Sequence, residues 1–133
     1  MVWKFRRSSG LINLRKLVYL ISPNKINNEF YDHLKKVLSK KNVPSEVTGI
    51  AFLSGGQSEI ESSKNLNEIN EINDTNFLIT FSYGRGLQAS ALKAFGKDQN
   101  NQNNIQKAFD HRAKMNGLSS KGEWSENLEE AVA

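Results

Sequence analysis

Two stretches of the sequence each lead from an apolar strand through a glycine turn into a helix. The first is Phe52-Leu-Ser-Gly-Gly-Gln-Ser-Glu59, and the second is Thr80-Phe-Ser-Tyr-Gly-Arg-Gly-Leu-Gln-Ala-Ser-Ala-Leu-Lys-Ala-Phe95. Strand starts separated by about thirty residues are typical of right-handed crossover units, in which a helix connects two parallel strands. The chain is therefore predicted to have an α/β fold with a parallel sheet. Both turns should leave the carboxyl ends of neighbouring strands.

The hydrophobic pattern around the turns predicts the other elements. A continuous apolar run at residues 47–53 is typical of a strand that is buried on both faces. Ser58 and Glu61 have the spacing of a capping box, which predicts a helix from there to about Ile69. The acidic residues of this helix are interpreted as a solvated face. The remaining predictions are a helix from Asn28, a strand at 77–82, a helix at 87–95 that Gly96 ends, a polar loop at 98–104 and a helix at 105–115.

Glycine turns that lead into helices are typical of phosphate-binding sites. Without a Cβ atom, glycine lets backbone N–H groups approach an anion closely, and the helix N-terminus adds unpaired donors and a partial positive charge. Arg85, in the second turn, places a planar cation beside these amides. One turn alone could be only a helix entry, but two such turns on adjacent crossover units predict a joint phosphate site.

The second turn also matches the G-x-G-x-x-A pattern of dinucleotide-binding folds, as Gly84-Arg-Gly86-Leu-Gln-Ala89. Such a fold requires an acidic residue at the end of the next strand, about twenty residues further on, to bind a ribose hydroxyl. Asp110 has roughly this separation but lies in a helical pattern without a strand. The dinucleotide interpretation is therefore disfavoured.

Positive charge is concentrated at the start of the chain. Residues 1–28 carry six of the eighteen Lys and Arg residues and no acid, whereas residues 29–133 hold the other twelve against all fourteen acids. The body is thus close to neutral, which argues against a nucleic-acid partner, because phosphate contacts need clustered cations. No apolar run is long enough for a membrane span, and the absence of cysteine excludes disulfides and thiolate metal sites. A cytoplasmic location is expected, with an organelle-targeting leader in the basic segment as the alternative.

Both stretches resemble class I fructose-bisphosphate aldolase. Thr48-Gly-Ile-Ala-Phe-Leu-Ser-Gly-Gly-Gln-Ser-Glu59 is similar to that family's seventh barrel strand and its loop, and Thr80-Phe-Ser-Tyr-Gly-Arg85 with Leu87-Gln-Ala-Ser-Ala-Leu-Lys-Ala94 is similar to its eighth strand and helix. The resemblance covers roughly residues 43–118. It implies a partial TIM (β/α)8 barrel, made of the last two β/α units, a C-terminal helix and an N-terminal helix before them. Together with the charge and composition of the two ends, it divides the chain into a divergent, poorly ordered basic head at 1–27, a barrel part at 28–116 and a mobile acidic tail at 117–133.

The resemblance also implies a site and an activity. Complete family members cleave fructose 1,6-bisphosphate to dihydroxyacetone phosphate and glyceraldehyde 3-phosphate in glycolysis and gluconeogenesis, through an imine on a strand lysine. They need no metal or other cofactor and resemble homotetramers. The sugar-phosphate ligands that the resemblance implies in this chain are Ser54, Gly55, Gly56, Ser82, Gly84 and Arg85.

The lysine that forms the imine has no counterpart in this sequence. The family's Leu-Leu-Lys-Pro-Asn motif resembles Leu20-Ile-Ser-Pro-Asn24, where Ser22 takes the lysine's place and offers no amine. No catalytic residue is therefore assigned, and whether the chain is an enzyme stays open. Because a closed barrel takes about 250 residues, the chain is expected to be a fragment that is marginally folded or self-associating by itself. The alternative function is an inactive remnant that binds sugar phosphates or a protein partner.

Overall fold

The computed structural model describes residues 47–132 without a break, together with residues 32, 34–36 and 43. The basic head at 1–27, including Ser22, lies outside the described residues. Residues 32 and 34–36 are helical, in agreement with the helix predicted from Asn28. None of the described helices combines the length and the apolar character that crossing a membrane requires. The elements from residue 47 onward are β1 (Gly49–Leu53), α1 (Glu59–Glu71), β2 (Leu78–Ser82), α2 (Arg85–Lys97), α3 (Gln102–Ser119) and a 3₁₀ helix (Glu126–Val132).

β1 and β2 form a parallel pair whose register runs from Gly49 opposite Leu78 to Leu53 opposite Ser82. Parallel neighbours cannot be joined by a tight turn, so the chain crosses over through α1 before β2 begins. This β-α-β arrangement confirms the crossover predicted from the spacing of the two glycine turns. Because the two strands end as register partners, their carboxyl ends reach the same edge of the sheet.

The hydrophobic core lies between one face of this sheet and α1. Phe52 of β1 and Ile79 and Phe81 of β2 are buried together with Leu66 and Ile69 of α1. The prediction that the first strand is buried on both faces was wrong, because α1 covers one face and the described chain supplies no layer over the other. The exposed residues of that other face are Gly49, Ala51, Leu53, Leu78, Thr80 and Ser82.

The capping box predicted at the start of α1 is present. Ser58 Oγ accepts a hydrogen bond from the backbone N–H of Glu61 at 3.3 Å, and the Glu61 carboxylate accepts one from the N–H of Ser58 at 2.8 Å. α3 begins earlier than predicted, because the side chain of Asn101 accepts from the N–H of Asn104 and caps a helix within the segment interpreted as a loop. α2 continues one residue past Gly96, so this glycine does not end the helix.

The segment after α3 turns back onto α1. Gly122 has a positive φ of 72°, a conformation that favours glycine, and Trp124 just beyond it is buried. The backbone N–H of Trp124 donates to Oδ1 of Asn67 in α1 at 2.9 Å. The sequence predicts a mobile tail from Gly117, whereas the structure places Gly117 inside α3 and packs Trp124 against the folded body.

Candidate functional site

The two glycine turns lie side by side at one edge of the sheet. Leu53 and Ser82, the last residues of β1 and β2, are register partners, so the chain leaves both strands at the same level. The N–H of Ser54 donates to the carbonyl of Ser82 at 3.4 Å, and the Ser54 hydroxyl donates to the same carbonyl, also at 3.4 Å. The turns are thus joined directly, as a shared anion site requires.

The first turn, residues 54–57, leaves two backbone donors open. The N–H of Gln57 donates to the carbonyl of Ser54 at 3.3 Å and closes the turn. Gly56 has a φ of 86°, which side-chain-bearing residues rarely adopt. Within the described chain no acceptor pairs with the N–H of Gly55 or of Gly56. Further along the chain, the N–H groups of Ser58 and Glu61 are occupied by the capping box of α1. The amides available to an anion in this turn are therefore those of two glycines.

The second turn leads into a helix N-terminus that lacks a side-chain cap. Gly84 is the N-cap of α2 and has no side chain to accept a hydrogen bond, while its carbonyl accepts from the N–H of Leu87 at 3.0 Å. The first N–H groups of α2 keep the unpaired, partly positive character of a helix start. Arg85, the first residue of α2, is exposed, and its guanidinium has no hydrogen-bond or ion-pair partner in the described chain. Open donors and an available cation therefore stand at the start of the helix that follows the second turn.

Five of the six predicted ligand residues are exposed at this edge, and one is buried. Ser54 is only 7% exposed, and its hydroxyl is directed to the Ser82 carbonyl. The donors that remain open are thus backbone amides and the Arg85 side chain, while the Ser54 hydroxyl holds the two turns to each other. The five exposed residues are Gly55, Gly56, Ser82, Gly84 and Arg85.

The close packing of α1 against the start of α2 depends on Gly86. A Cβ atom at this position would lie 3.0 Å from the Ser62 hydroxyl oxygen and 3.3 Å from Cδ1 of Tyr83. Both distances are shorter than ordinary van der Waals contacts, so a side chain here would push the neighbouring groups apart. Burial raises the pKa of Tyr83, so its phenol stays protonated at neutral pH and adds no negative charge beside the turns.

Two polar contacts hold the first half of α2 to its neighbours, and the sequence pattern predicted neither. The Glu59 carboxylate, at the first residue of α1, accepts hydrogen bonds from the N–H of Ser90 at 2.9 Å and from the Ser90 hydroxyl. From α3, Nδ2 of Asn116 donates to the Gly86 carbonyl at 3.3 Å, and Oδ1 of Asn116 accepts from the Ser63 hydroxyl at 2.8 Å. Interpreting Glu59 as part of a solvated face was wrong, because the predicted helix that contains Ser90 packs beside it, and sequence periodicity does not show which helices pack together.

A buried ion pair connects α3 to the 3₁₀ helix. Arg112 is 3% exposed and donates two hydrogen bonds to the Glu129 carboxylate, at 2.7 and 3.0 Å, and a third to the Ser63 hydroxyl at 2.8 Å. Burial by itself would raise the pKa of Glu129, but the hydrogen bonds from Arg112 and Trp124 outweigh it and hold that pKa below its usual value. Glu129 therefore stays ionised at neutral pH. The Arg112 charge is balanced inside the fold and is not offered to a ligand.

A cavity of about 270 Å³ lies between α2 and α3. Lys93, Lys97 and Asn101 line it, and none of the six predicted phosphate ligands does. Anion binding by main-chain amides needs convergent donors and not an enclosed space. The two turns therefore remain the candidate site. In the part of the chain that the structure describes, no group of three or more His, Asp or Glu side chains could hold a metal ion.

Sequence comparison finds similarity to fructose-bisphosphate aldolases. A family profile of the glycolytic group, fructose-bisphosphate aldolase class-I, matches residues 22–133. The chain is 55% identical over 87 residues to fructose-bisphosphate aldolase B of Sparus aurata, an alignment that covers 64% of this chain and 24% of that protein. It is 44% identical over 103 residues to fructose-bisphosphate aldolase C of Carassius auratus, with 77% of this chain and 28% of that protein covered.

Structural comparison finds the same similarity. The fold resembles fructose-bisphosphate aldolase from Plasmodium falciparum, which was solved as a ternary complex with TRAP and a small-molecule inhibitor. The TM-score is 0.55 at 36% sequence identity, and the match covers 72% of this chain and 26% of that chain. The chain thus spans about a quarter of the length of the curated relatives it matches.

Proposed function

Because the chain belongs to the class I fructose-bisphosphate aldolase family, we propose that it supplies the sugar-phosphate-binding part of an aldolase-type lyase site. Membership rests on the family profile that matches residues 22–133, and the structural likeness adds a partial aldolase TIM-barrel fold. The proposal assigns β1 and β2 to the last two strands of the eight-stranded barrel, and α1 and α2 to their helices. The proposed ligand is a phosphate group of fructose 1,6-bisphosphate or of a triose phosphate.

The register of the two strands is the observation that carries this proposal. It ends both strands at one level, which supports a shared site formed by the open amides of Gly55 and Gly56, the uncapped start of α2 and Arg85. A phosphate dianion is bound most strongly where several N–H donors converge beside a guanidinium. In TIM barrels the loops after the last two strands, together with a helix N-terminus, frequently form a phosphate site, which supports the strand assignment.

The bond-breaking chemistry is proposed to lie outside these two β/α units. Cleavage in this family proceeds through an imine between a lysine amine and the substrate ketone, as the resemblance implies. Ser22 stands where the chain resembles the lysine motif, and a hydroxyl cannot form an imine. The described units are therefore proposed to bind phosphate without supplying a catalytic residue. Cleavage of fructose 1,6-bisphosphate and homotetramer assembly are proposed for a chain with a complete barrel.

Titration with inorganic phosphate and with glycerol 3-phosphate, followed by backbone amide shifts, tests the proposed site. The amides of Gly55 and Gly56 and those of the first turn of α2 should shift in the wild-type chain. Arg85→Ala should weaken binding about 10- to 150-fold, because a hydrogen bond to a charged group contributes about 1.5–3 kcal/mol. Lys97→Ala is the matched control, since it removes one exposed cation from the other end of α2. Equal effects of the two variants, or shifts confined to other surfaces, would contradict the site.

Borohydride reduction in the presence of dihydroxyacetone phosphate separates binding from catalysis. An imine on any lysine would be reduced to a stable adduct that mass spectrometry detects. No adduct is expected for this chain. A reproducible adduct would overturn the assignment of catalysis to other parts of the barrel. Phosphate binding without an adduct or turnover also agrees with the alternative, an inactive remnant that still binds sugar phosphates.

A further inference from the structure

Glu59 connects the two glycine turns through a contact between helices. It is the first residue of α1, just after the first turn, and its carboxylate accepts hydrogen bonds from both the N–H and the hydroxyl of Ser90 in α2. Ser90 lies six residues after Gly84, the N-cap of α2. At the helical rise of 1.5 Å per residue, that is about 9 Å from the second turn. The contact therefore joins the start of α1 to the middle of α2, less than two helical turns from the end that carries the second glycine turn.

A second side chain holds the same stretch of α2 from another helix. Asn116 of α3 donates to the carbonyl of Gly86, which is the group that pairs with the N–H of Ser90 in a regular α-helix. Side chains of α1 and α3 thus reach the donor and the acceptor of one helical hydrogen-bond position. The first half of α2, which begins with Arg85, is consequently held by two neighbouring elements, through partly buried and buried contacts.

The first turn of α1 favours an acidic residue, but attraction to the bound phosphate does not explain a carboxylate at this place. Glu59 lies four residues after Gly55, and a negative charge beside a phosphate-binding turn opposes the binding of a phosphate dianion. Hydrogen bonds to an ionised carboxylate are, however, stronger than those between neutral groups, so the contact with Ser90 holds the two helices at a defined separation.

We infer that Glu59 is a positioning residue for the phosphate site. It holds the second turn of α2, and through the helix Arg85, in a constant place relative to the glycine turn that precedes α1. The carboxylate acts through α2 and does not contact the ligand. This inference rests on the proposed function, because it names what keeps the two halves of that same site together.

Loss of the contact should lower phosphate affinity, because fewer molecules would hold the two turns in the arrangement that binds phosphate. The apparent affinity falls in proportion to the fraction of molecules in the binding-competent arrangement. Glu59→Ala should weaken the binding of inorganic phosphate about 5- to 10-fold, which corresponds to roughly 10–20% of molecules in that arrangement. Ser90→Ala removes the hydroxyl donor and keeps the N–H, so its loss should be smaller. Because both changes break one contact, the double variant should bind no more weakly than Glu59→Ala alone.

The experiment measures, on the full chain, phosphate affinity from the amide shifts of the turns and stability from thermal unfolding. It compares the three variants above with Glu59→Gln and Glu130→Ala. Glu59→Gln keeps the length of the side chain and an oxygen that can accept from Ser90, so it should retain more affinity than Glu59→Ala. Glu130→Ala removes an exposed acid from the 3₁₀ helix and should leave the affinity unchanged within about 2-fold.

Several results would overturn the inference. A lower melting temperature with unchanged affinity would make Glu59 a residue of the fold alone. Tighter binding in both Glu59→Ala and Glu59→Gln would show that its charge, and not its contact, acts on the site. Should Glu59→Ala fail to fold, undiminished affinity in Ser90→Ala decides against the inference. If the proposed function itself is wrong, the wild-type chain will not bind phosphate, or Arg85→Ala will have no effect on binding. The inference then falls together with the proposed function.

Discussion

Replacing Glu129 with glutamine tests how strongly the buried ion pair stabilises the fold. The side chains of Arg112 and Glu129 are 4% and 12% exposed, so the pair is largely withdrawn from water. Removing one partner of a fully buried pair costs about 3–5 kcal/mol, whereas an exposed pair contributes about 0–1 kcal/mol. Nε of Arg112 is buried without a hydrogen-bond partner in the described chain, so its charge depends on Glu129. Because Glu129 keeps some contact with solvent, we expect Glu129→Gln to lower the free energy of unfolding by about 2 kcal/mol.

Thermal unfolding measures this effect directly. For a folded part of this size, 1 kcal/mol corresponds to about 4–8 °C, so the melting temperature should fall by about 8–16 °C. Nε1 of Trp124 donates to the same carboxylate at 2.7 Å, so its fluorescence reports the contact itself. A Trp3→Phe background makes Trp124 the single tryptophan. An unchanged melting temperature together with an unchanged emission spectrum would refute a stabilising role for the pair.

The pH dependence of this cost is an independent check that the ionised carboxylate of Glu129 stabilises the fold. Burial works against ionisation of Glu129, but hydrogen bonds led by that from Arg112 lower its pKa in the folded state below the reference value of 4.5. A lowered folded-state pKa stabilises the fold above the unfolded-state pKa, and this contribution is lost as the pH falls through the folded-state pKa. The cost of Glu129→Gln should therefore be full at pH 7 and shrink below about pH 4.5. A cost that grows as the pH falls below about 4.5 would contradict the reasoning.

Three further predictions concern the glycines and the helix cap, each measured as the free energy of unfolding in urea. Gly86→Ala should cost about 1–2 kcal/mol, because its Cβ would lie 3.0 Å from the Ser62 hydroxyl. The control is Gly96→Ala in the same helix, where the added Cβ meets open space and should stabilise the fold by up to about 1 kcal/mol. Equal shifts in these two variants would exclude the packing explanation. Gly122→Ala should cost about 1–2 kcal/mol, because residues with a side chain are strained at a φ of 72° and the added Cβ would press on the backbone of α1. An unchanged free energy of unfolding would mean that the turn relaxes freely. Ser58→Ala should cost about 1 kcal/mol through loss of the N-cap, and an unaltered urea midpoint would show that other contacts hold the start of α1.

The order of strands and helices could be predicted because it depends on local preferences. The apolar run before each glycine turn favours a strand, and Ser58 with Glu61 satisfies the donors of one helix start within four residues of chain. Helix ends were less predictable, since the segment around Asn101 has the composition of a loop as well as of a cap. Gly117 likewise occurs inside α3, where packing of the helix outweighs the weak local preference of a single glycine.

The sequence predicted that the two candidate phosphate turns share one edge, and the parallel register of Leu53 with Ser82, a tertiary outcome, sets the level at which they meet. One-sided burial of the strands was also a tertiary outcome, because it depends on how many layers cover the sheet. The partner of Glu59 lies 31 residues away, and Ser63 and Arg112 are 49 residues apart. Residue preferences act over one or two helical turns, whereas the partner of a half-buried charge is set by the packing of elements distant in the chain. The sequence by itself therefore determined the elements and their turns, and tertiary packing determined which polar groups meet.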